Sequence, residues 1–175
     1  KTFAENTLYN GGDAQLLSLS PNGENLFIIS TFNTLVLDLK NGKIKNQNQQ
    51  EIGTSAIGYT PVGNIFGFNN STKKGDWVGL PVIINPETGK RLLDFNFKVP
   101  GSARLQSLKN QVAYGNNNRV VVSRNGSIII ADYLTGKKTG EIKTPNEDII
   151  ALAASGDMVV AGDKFKGTLK QYDIN

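Results

Sequence analysis

The sequence predicts an all-β chain: a β-propeller of four blades, each of four antiparallel strands, with the N-terminal strand closing the ring, or a four-blade segment of a larger propeller. The first ground is a repeat. Leu37-Asp38-Leu39-Lys40-Asn41-Gly42-Lys43 returns as Ile84-Asn85-Pro86-Glu87-Thr88-Gly89-Lys90 and as Ala131-Asp132-Tyr133-Leu134-Thr135-Gly136-Lys137, so the turn glycines at 42, 89 and 136 are spaced by 47 residues each time. The second is that short apolar or alternating runs lie between Gly, Pro and Asn turn signals, the pattern of hairpin-linked strands. The third is the lack of any sustained helical period; Ala103 to Leu108 has room for one turn only. A repeat of this length with strand content points to a propeller or another repeat array. The whole chain, 1–175, is read as one domain.

In the first unit, Ala14 to Ser20 alternates and ends at the turn Ser20-Pro21-Asn22-Gly23, where Pro and Gly supply the required φ angles. Asn25 to Ser30 and Thr34 to Asp38 are apolar strands, and Lys43-Ile44-Lys45 begins a polar fourth strand. The second unit repeats the order. Ala56 to Tyr59 runs into Thr60-Pro61-Val62-Gly63, then Asn64 to Phe68, an inserted loop from Asn69 to Gly79, a strand from Leu80 to Asn85, and an alternating outer strand from Arg91 to Phe97. In the third unit, Gly115-Asn116-Asn117-Asn118 replaces the Pro-x-Gly turn, and Arg124-Asn125-Gly126 is a hairpin signal between two branched runs. The fourth unit supplies Ile149 to Leu152, Met158 to Ala161 and Thr168 to Asp173, with Tyr172-Asp173 as the partial fourth copy of the repeat. It stops one strand short.

Lys1-Thr2-Phe3 has no unit of its own and fits that missing outer strand. Pairing it with the last unit would remove two exposed sheet edges. The alternative is a segment whose remaining blades come from elsewhere. Both stay open at this stage. A start at Lys1 with no signal-like segment reads as a processed protein or an excised domain.

Composition narrows the chemistry. There is no histidine and no cysteine. Ser-His-Asp triads, histidine bases, histidine-ligated metals and thiolate chemistry are therefore excluded. No apolar run of 18 residues is present to span a bilayer as a helix. The net charge of +4 is spread along the chain without a basic block, so nucleic acid is not the expected partner.

Apolar strand, Ser20-Pro21-Asn22-Gly23-like turn, apolar strand, short turn, and a strand closing on Asp then Thr-Gly-Lys: this order resembles the WD-repeat and quinoprotein-like propeller superfamily. The residues carrying the likeness are Leu37-Asp38, Glu87-Thr88-Gly89-Lys90, Asp132, Leu134-Thr135-Gly136-Lys137 and Tyr172-Asp173. A Trp-Asp dipeptide and a Gly-His pair are both missing. The resemblance implies a rigid platform for protein partners, with enzymes and ligand binders a minority, and fold alone does not choose between them.

Asp38, Asp132 and Asp173, with Asn85 at the second position, are expected to accept hydrogen bonds from their own turns rather than to converge on a metal. Lys40, Lys43, Lys90, Arg91, Lys137, Lys138 and Arg119 are expected on one face against Glu24, Glu87 and Asp157, either as a solvated rim or as a surface for an anionic partner. The loops at the other end are where a rigid scaffold concentrates contacts. The expected partner-binding residues are Lys73, Trp77, Arg104, Arg124 and Phe165, with Trp77 singled out because a lone Trp among polar residues is either folded back or used at an interface. No catalytic residue, metal ligand or cofactor is assigned. The reading is a non-catalytic protein-interaction scaffold, with room for association with further blades or another chain; the alternative is a ligand-binding, calcium-binding or enzymatic quinoprotein-like propeller.

Overall fold

The computed structural model describes residues 14–30, 34–48, 56–73, 76–100, 112–124, 126–145, 147–164 and 166–174. These residues form strands and no helix. The first sheet has the order β1 (Ala14–Leu19), β2 (Asn25–Ser30), β3 (Thr34–Asp38) and β4 (Ile44–Asn48). The second is β5 (Ala56–Tyr59), β6 (Ile65–Lys73), β7 (Asp76–Ile84) and β8 (Arg91–Asp94), with β9 (Val99–Pro100) also paired to β7. The third is β10 (Val112–Tyr114), β11 (Arg119–Arg124), β12 (Ser127–Asp132) and β13 (Lys138–Lys143). The fourth is β14 (Ile149–Ser155), β15 (Met158–Asp163) and β16 (Leu169–Asp173). Each sheet is an antiparallel meander in chain order, as the turn spacing requires.

The turn chemistry behaves as the residue types dictate. Between β1 and β2 the Gly23 N–H donates to the Ser20 carbonyl at 2.9 Å with Gly23 at φ 72°, and the Ser20 hydroxyl accepts the Asn25 N–H at 2.9 Å. In the third sheet Asn117 and Asn118 hold φ of 54° and 59°, a conformation that Asn tolerates better than most residues with a Cβ.

The repeated acidic residue closes the turn between third and fourth strands. Asp38 Oδ1 accepts the N–H groups of Lys40 (2.8 Å) and Asn41 (3.3 Å). Asn85 Oδ1 accepts Glu87 (2.8 Å) and Thr88 (3.0 Å), and Asp132 Oδ1 accepts Leu134 (2.8 Å) and Thr135 (2.9 Å). In each copy the glycine N–H then returns to the carbonyl of the same Asp or Asn at 2.8–2.9 Å. Asp173 shares this position by register: Ile174 N–H donates to the Asp157 carbonyl just as Leu39 does to Glu24 and Tyr133 to Asn118. The fourth sheet thus comprises the first three strands of a unit. Lys1-Thr2-Phe3, the segment expected to supply the fourth, and Ala103 to Leu108 lie outside the described residues.

Two expectations about the second unit are corrected. The outer strand ends at Asp94 rather than Phe97, because Phe95 turns inward to become 5% exposed and the Asn96 N–H donates to the Gly136 carbonyl of the third sheet at 3.1 Å. The described parts of the expected loop, 69–73 and 76–79, are strand instead. β6 and β7 stay in register through Thr72↔Trp77 and Lys73↔Asp76, and β9 pairs with Val78 and Gly79.

Buried apolar faces stack one sheet on the next. Leu16, Phe27, Ile29 and Val36 meet Tyr59, Ile65, Val82 and Ile84 between sheets one and two. Phe66, Phe68, Ile83 and Phe95 meet Val120, Val122, Ile129 and Ala131 between two and three. Val121, Ile128 and Ile130 meet Ile149, Val159, Ala161 and Ile174 between three and four. This explains why β12 reads Ile-Ile-Ile-Ala without alternation: both its faces are covered, so successive residues serve successive interfaces. Burying a side chain such as Phe66 completely contributes roughly 1.5–3 kcal/mol.

Candidate functional site

Two features stand out, at opposite ends of the sheets. The first is the β6–β7 hairpin. Ile65 and Val120 occupy matching places, since each lies opposite the last residue of its sheet's first strand, Tyr59 and Tyr114. Asn69 therefore matches Arg124, where β11 ends, and β6 continues for four more residues to Lys73. Nine-residue strands with β9 alongside brace this extension.

The predicted contact residues divide as follows. Lys73, Trp77 and Arg124 have described backbones in β6, β7 and β11, with Lys73 opposite Asp76, Trp77 opposite Thr72 and Arg124 opposite Ser127. Their side chains, and all of Arg104 and Phe165, lie outside the described residues. Hairpin pairing brings Lys73 and Trp77 to one tip; the prediction had put them on a loop.

The second feature is a cleft of about 400 Å³ between the first two sheets. The Ser20-to-Gly23 turn and Lys45 line it on one side, and Tyr59, the turn after Thr60 and the Asn85-Pro86-Glu87 turn on the other. Its rim is tied by Asn46 Nδ2, which donates to the Pro86 carbonyl at 3.2 Å. Tyr59 is 8% exposed, and neither its hydroxyl nor Asn25 Oδ1 has a hydrogen-bond partner. Burial, helped by the negative charge of Glu87, pushes the Tyr59 phenol up to about 12, so it is a neutral hydroxyl able to donate. Asn25 Oδ1 can only accept. No sequence signal marks this cleft, because its residues come from positions 20 to 87 and meet only when two sheets stack.

The basic rim is partly neutralised. Arg119 bridges to Asp157 at 2.7 Å across sheets three and four, and Arg91 reaches Asp94 at 3.2 Å. Lys138 and Lys143 both hold Glu141, which also accepts the Ser127 hydroxyl; the Lys138 bond, then Lys143 and Ser127, bring the carboxyl down to about 2. Lys40, Lys43, Lys90 and Lys137 are exposed at their turns. Among the described residues no group of three or more carboxylates is arranged to hold a metal ion, and no helix is long and apolar enough to cross a membrane.

No family model matches the sequence, and no curated protein does. Solved structures do match in fold. The computationally designed Ika4 protein superposes with a TM-score of 0.60 at 17% identity, over 95% of this chain and 94% of that one. The β-propeller domain of Cps50 (Swd1) from Myceliophteria thermophila gives 0.63 at 15% identity, over 93% of this chain and 54% of its own. BamB from Moraxella catarrhalis gives 0.56 at 12% identity, over 90% of this chain and 45% of its own. The chain therefore spans nearly all of Ika4 and about half the length of the two natural propellers. Its fold is that of a β-propeller, complete or partial, and the four sheets are blades.

Proposed function

We propose that the protein is a non-catalytic interaction platform whose contact surface centres on the β6–β7 hairpin. Lys73 and Trp77 are its principal contacts, and Arg104, Arg124 and Phe165 complete the surface. The supporting observation is the ladder itself, which runs past the matching end of β11 to Lys73↔Asp76 with β9 alongside. A braced hairpin presents side chains with little conformational entropy left to lose, which favours its use in binding. The recurrent Asp38, Asn85 and Asp132 are occupied with their own turns. The partner is a protein, as a Trp within four residues of Lys73 and Lys74 suits a mixed apolar and acidic surface.

A photo-reactive residue at Trp77, compared with one at Asn41 in an opposite-end turn, tests this in living cells. A discrete protein adduct at position 77, absent at 41 and lost with Lys73→Glu, is expected. Adducts at 41 alone, or at neither position, overturn the reading.

A ligand-binding propeller is the second reading. The observation favouring it is the cleft lined by both Tyr59 and Asn25, whose hydroxyl and Oδ1 are each unpaired. A small-amide fragment screen followed by NMR should then shift the Tyr59 and Asn25 signals together. Shifts confined elsewhere count against it.

A further inference from the structure

The seams between successive blades differ at one level, beside the residue that stands opposite the turn Asp. That residue is Asn25 in the first blade, opposite Asp38, and Arg119 in the third, opposite Asp132. At the seam of blades three and four, Arg119 crosses to Asp157 at 2.7 Å, and about 240 Å³ of open space is left. At the seam of blades two and three, Phe95 is buried and Asn96 bonds across. Its N–H donates to the Gly136 carbonyl at 3.1 Å, and its Oδ1 accepts the Lys138 N–H at 3.2 Å. Neither device occurs at the seam of blades one and two. Asn25 is shorter than Arg119 and uncharged, and the turn across from it, Pro61-Val62-Gly63, carries no charged side chain. This seam is the cleft of about 400 Å³.

We infer that the cleft takes a backbone amide from an extended, uncharged peptide segment of a partner protein, with the Tyr59 hydroxyl donating to its carbonyl and Asn25 Oδ1 accepting its N–H. The inference rests on the second reading above and names its ligand. Tyr59 and Asn25 both line the cleft, and the hydroxyl of one and the Oδ1 of the other have no protein partner. A buried donor or acceptor left unpaired costs free energy. One peptide group offers a carbonyl and an N–H, so it satisfies both. The charged side chains of the lining are one cation and one anion. Lys45 comes from the first blade, where it also meets Asp38 at 3.7 Å, and Glu87 comes from the second. Such a lining is complementary to a polar group without net charge rather than to an ion. Pro21, Pro61, Val62 and Pro86 give apolar walls for small aliphatic side chains beside that amide. Proline walls are stiff, so little freedom is lost when they close on a ligand. The cleft lies at the opposite end of the sheets from the β6–β7 hairpin, so the two sites do not compete.

NMR titration of the isotope-labelled full chain with acetyl-Ala-Val-Ala-methylamide, and separately with acetamide, tests it. The expected result is saturable shifts of the Tyr59, Val62 and Gly63 backbone signals with the peptide. Tyr59→Phe, which keeps the ring and removes only the hydroxyl, should weaken binding about tenfold. Among analogues with each amide in turn replaced by an ester, one should show a similar loss, because it no longer presents an N–H to Asn25. Asn25→Arg, patterned on Arg119, should fill the seam and abolish the shifts; if it fails to fold, Tyr59→Phe and the esters carry the test. Acetamide shifts at Tyr59 and Asn25 without any response to the peptide overturn the inference and leave the ligand-binding reading standing. Silence with both probes overturns the two together. Peptide binding that neither Tyr59→Phe nor any ester weakens also overturns the inference.

Discussion

The Ser18 hydroxyl accepts the backbone N–H of Tyr59 at 2.9 Å, joining the innermost strands of the first two blades. The approach is so close that a Cβ on Gly58 would lie 2.6 Å from Ser18 Oγ, and Gly58 holds φ 147°, where a side chain is strained. Gly58→Ala should therefore destabilise by about 2–4 kcal/mol, combining backbone strain with a clash. Ser18→Ala should lose about 1–3 kcal/mol by leaving the Tyr59 N–H unpaired. Urea unfolding measures both; a Gly58→Ala variant as stable as the parent would show that the blades do not meet this way.

The third-to-fourth-strand turns make a graded prediction. Asp132→Ala removes the acceptor of the Leu134 and Thr135 N–H groups and should lose about 0.5–2 kcal/mol, in line with other side-chain caps of backbone donors. Asp132→Asn should lose much less, since Asn85 performs the same task in the second blade. Equal losses from both substitutions would assign the work of Asp132 to its charge instead.

Removing a buried hydroxyl that has no partner should not hurt. Tyr59→Phe is expected to leave stability unchanged or raise it by up to about 1 kcal/mol, and Tyr114→Phe likewise, because both phenols are buried without a hydrogen bond. The phenol also makes a pH prediction. Its folded value of about 12 lies above the ordinary 10.0, so it leaves stability unaffected below pH 10 and lowers it as pH rises from 10 through 12, where the unfolded chain ionises more readily. Ultraviolet titration of tyrosinate should show several late-titrating groups, Tyr114 among them, and Tyr59→Phe should remove one. A marked loss of stability in Tyr59→Phe would mean that the hydroxyl has a partner.

Glu141 governs part of the acid limb. Its carboxyl is held at about 2, through Lys138 first and then Lys143 and Ser127, against an ordinary 4.5. A lowered carboxylate contributes stability above the unfolded value and loses it as pH falls through the folded one, so the window is pH 4.5 down to about 2. Thermal melts of Glu141→Gln should fall less steeply across that window than those of the parent. The difference should shrink in high salt, because the group is exposed. Parallel melting curves for the two proteins would remove Glu141 from this role.

Much of the fold was legible because its determinants are local. A Pro-Asn-Gly turn, an Asp followed four residues later by Gly, and an unbroken Ile128-Ile129-Ile130 run each specify strand, turn or burial with their immediate neighbours. Where prediction failed, the deciding partner was distant in sequence. Phe95 leaves the outer strand because the second and third blades offer it a buried place beside Gly136. Asn69 to Lys73 was polar enough to read as loop, yet it finds its ladder partners across the tip and is braced by β9, a further strand beyond β8.

By itself, then, the amino-acid order determined the periodic meander, the turn chemistry and the exclusion of histidine and thiol catalysis, since these depend on residue identity and short-range geometry. Tertiary structure alone decided the cleft beside Tyr59, the length of the β6–β7 hairpin and the filling of the next seam by Phe95. Those depend on which sheet face meets which. Equivalent residues in a repeat carry equivalent patterns, and only the stacking of one blade on the next makes one seam closed and another a cleft.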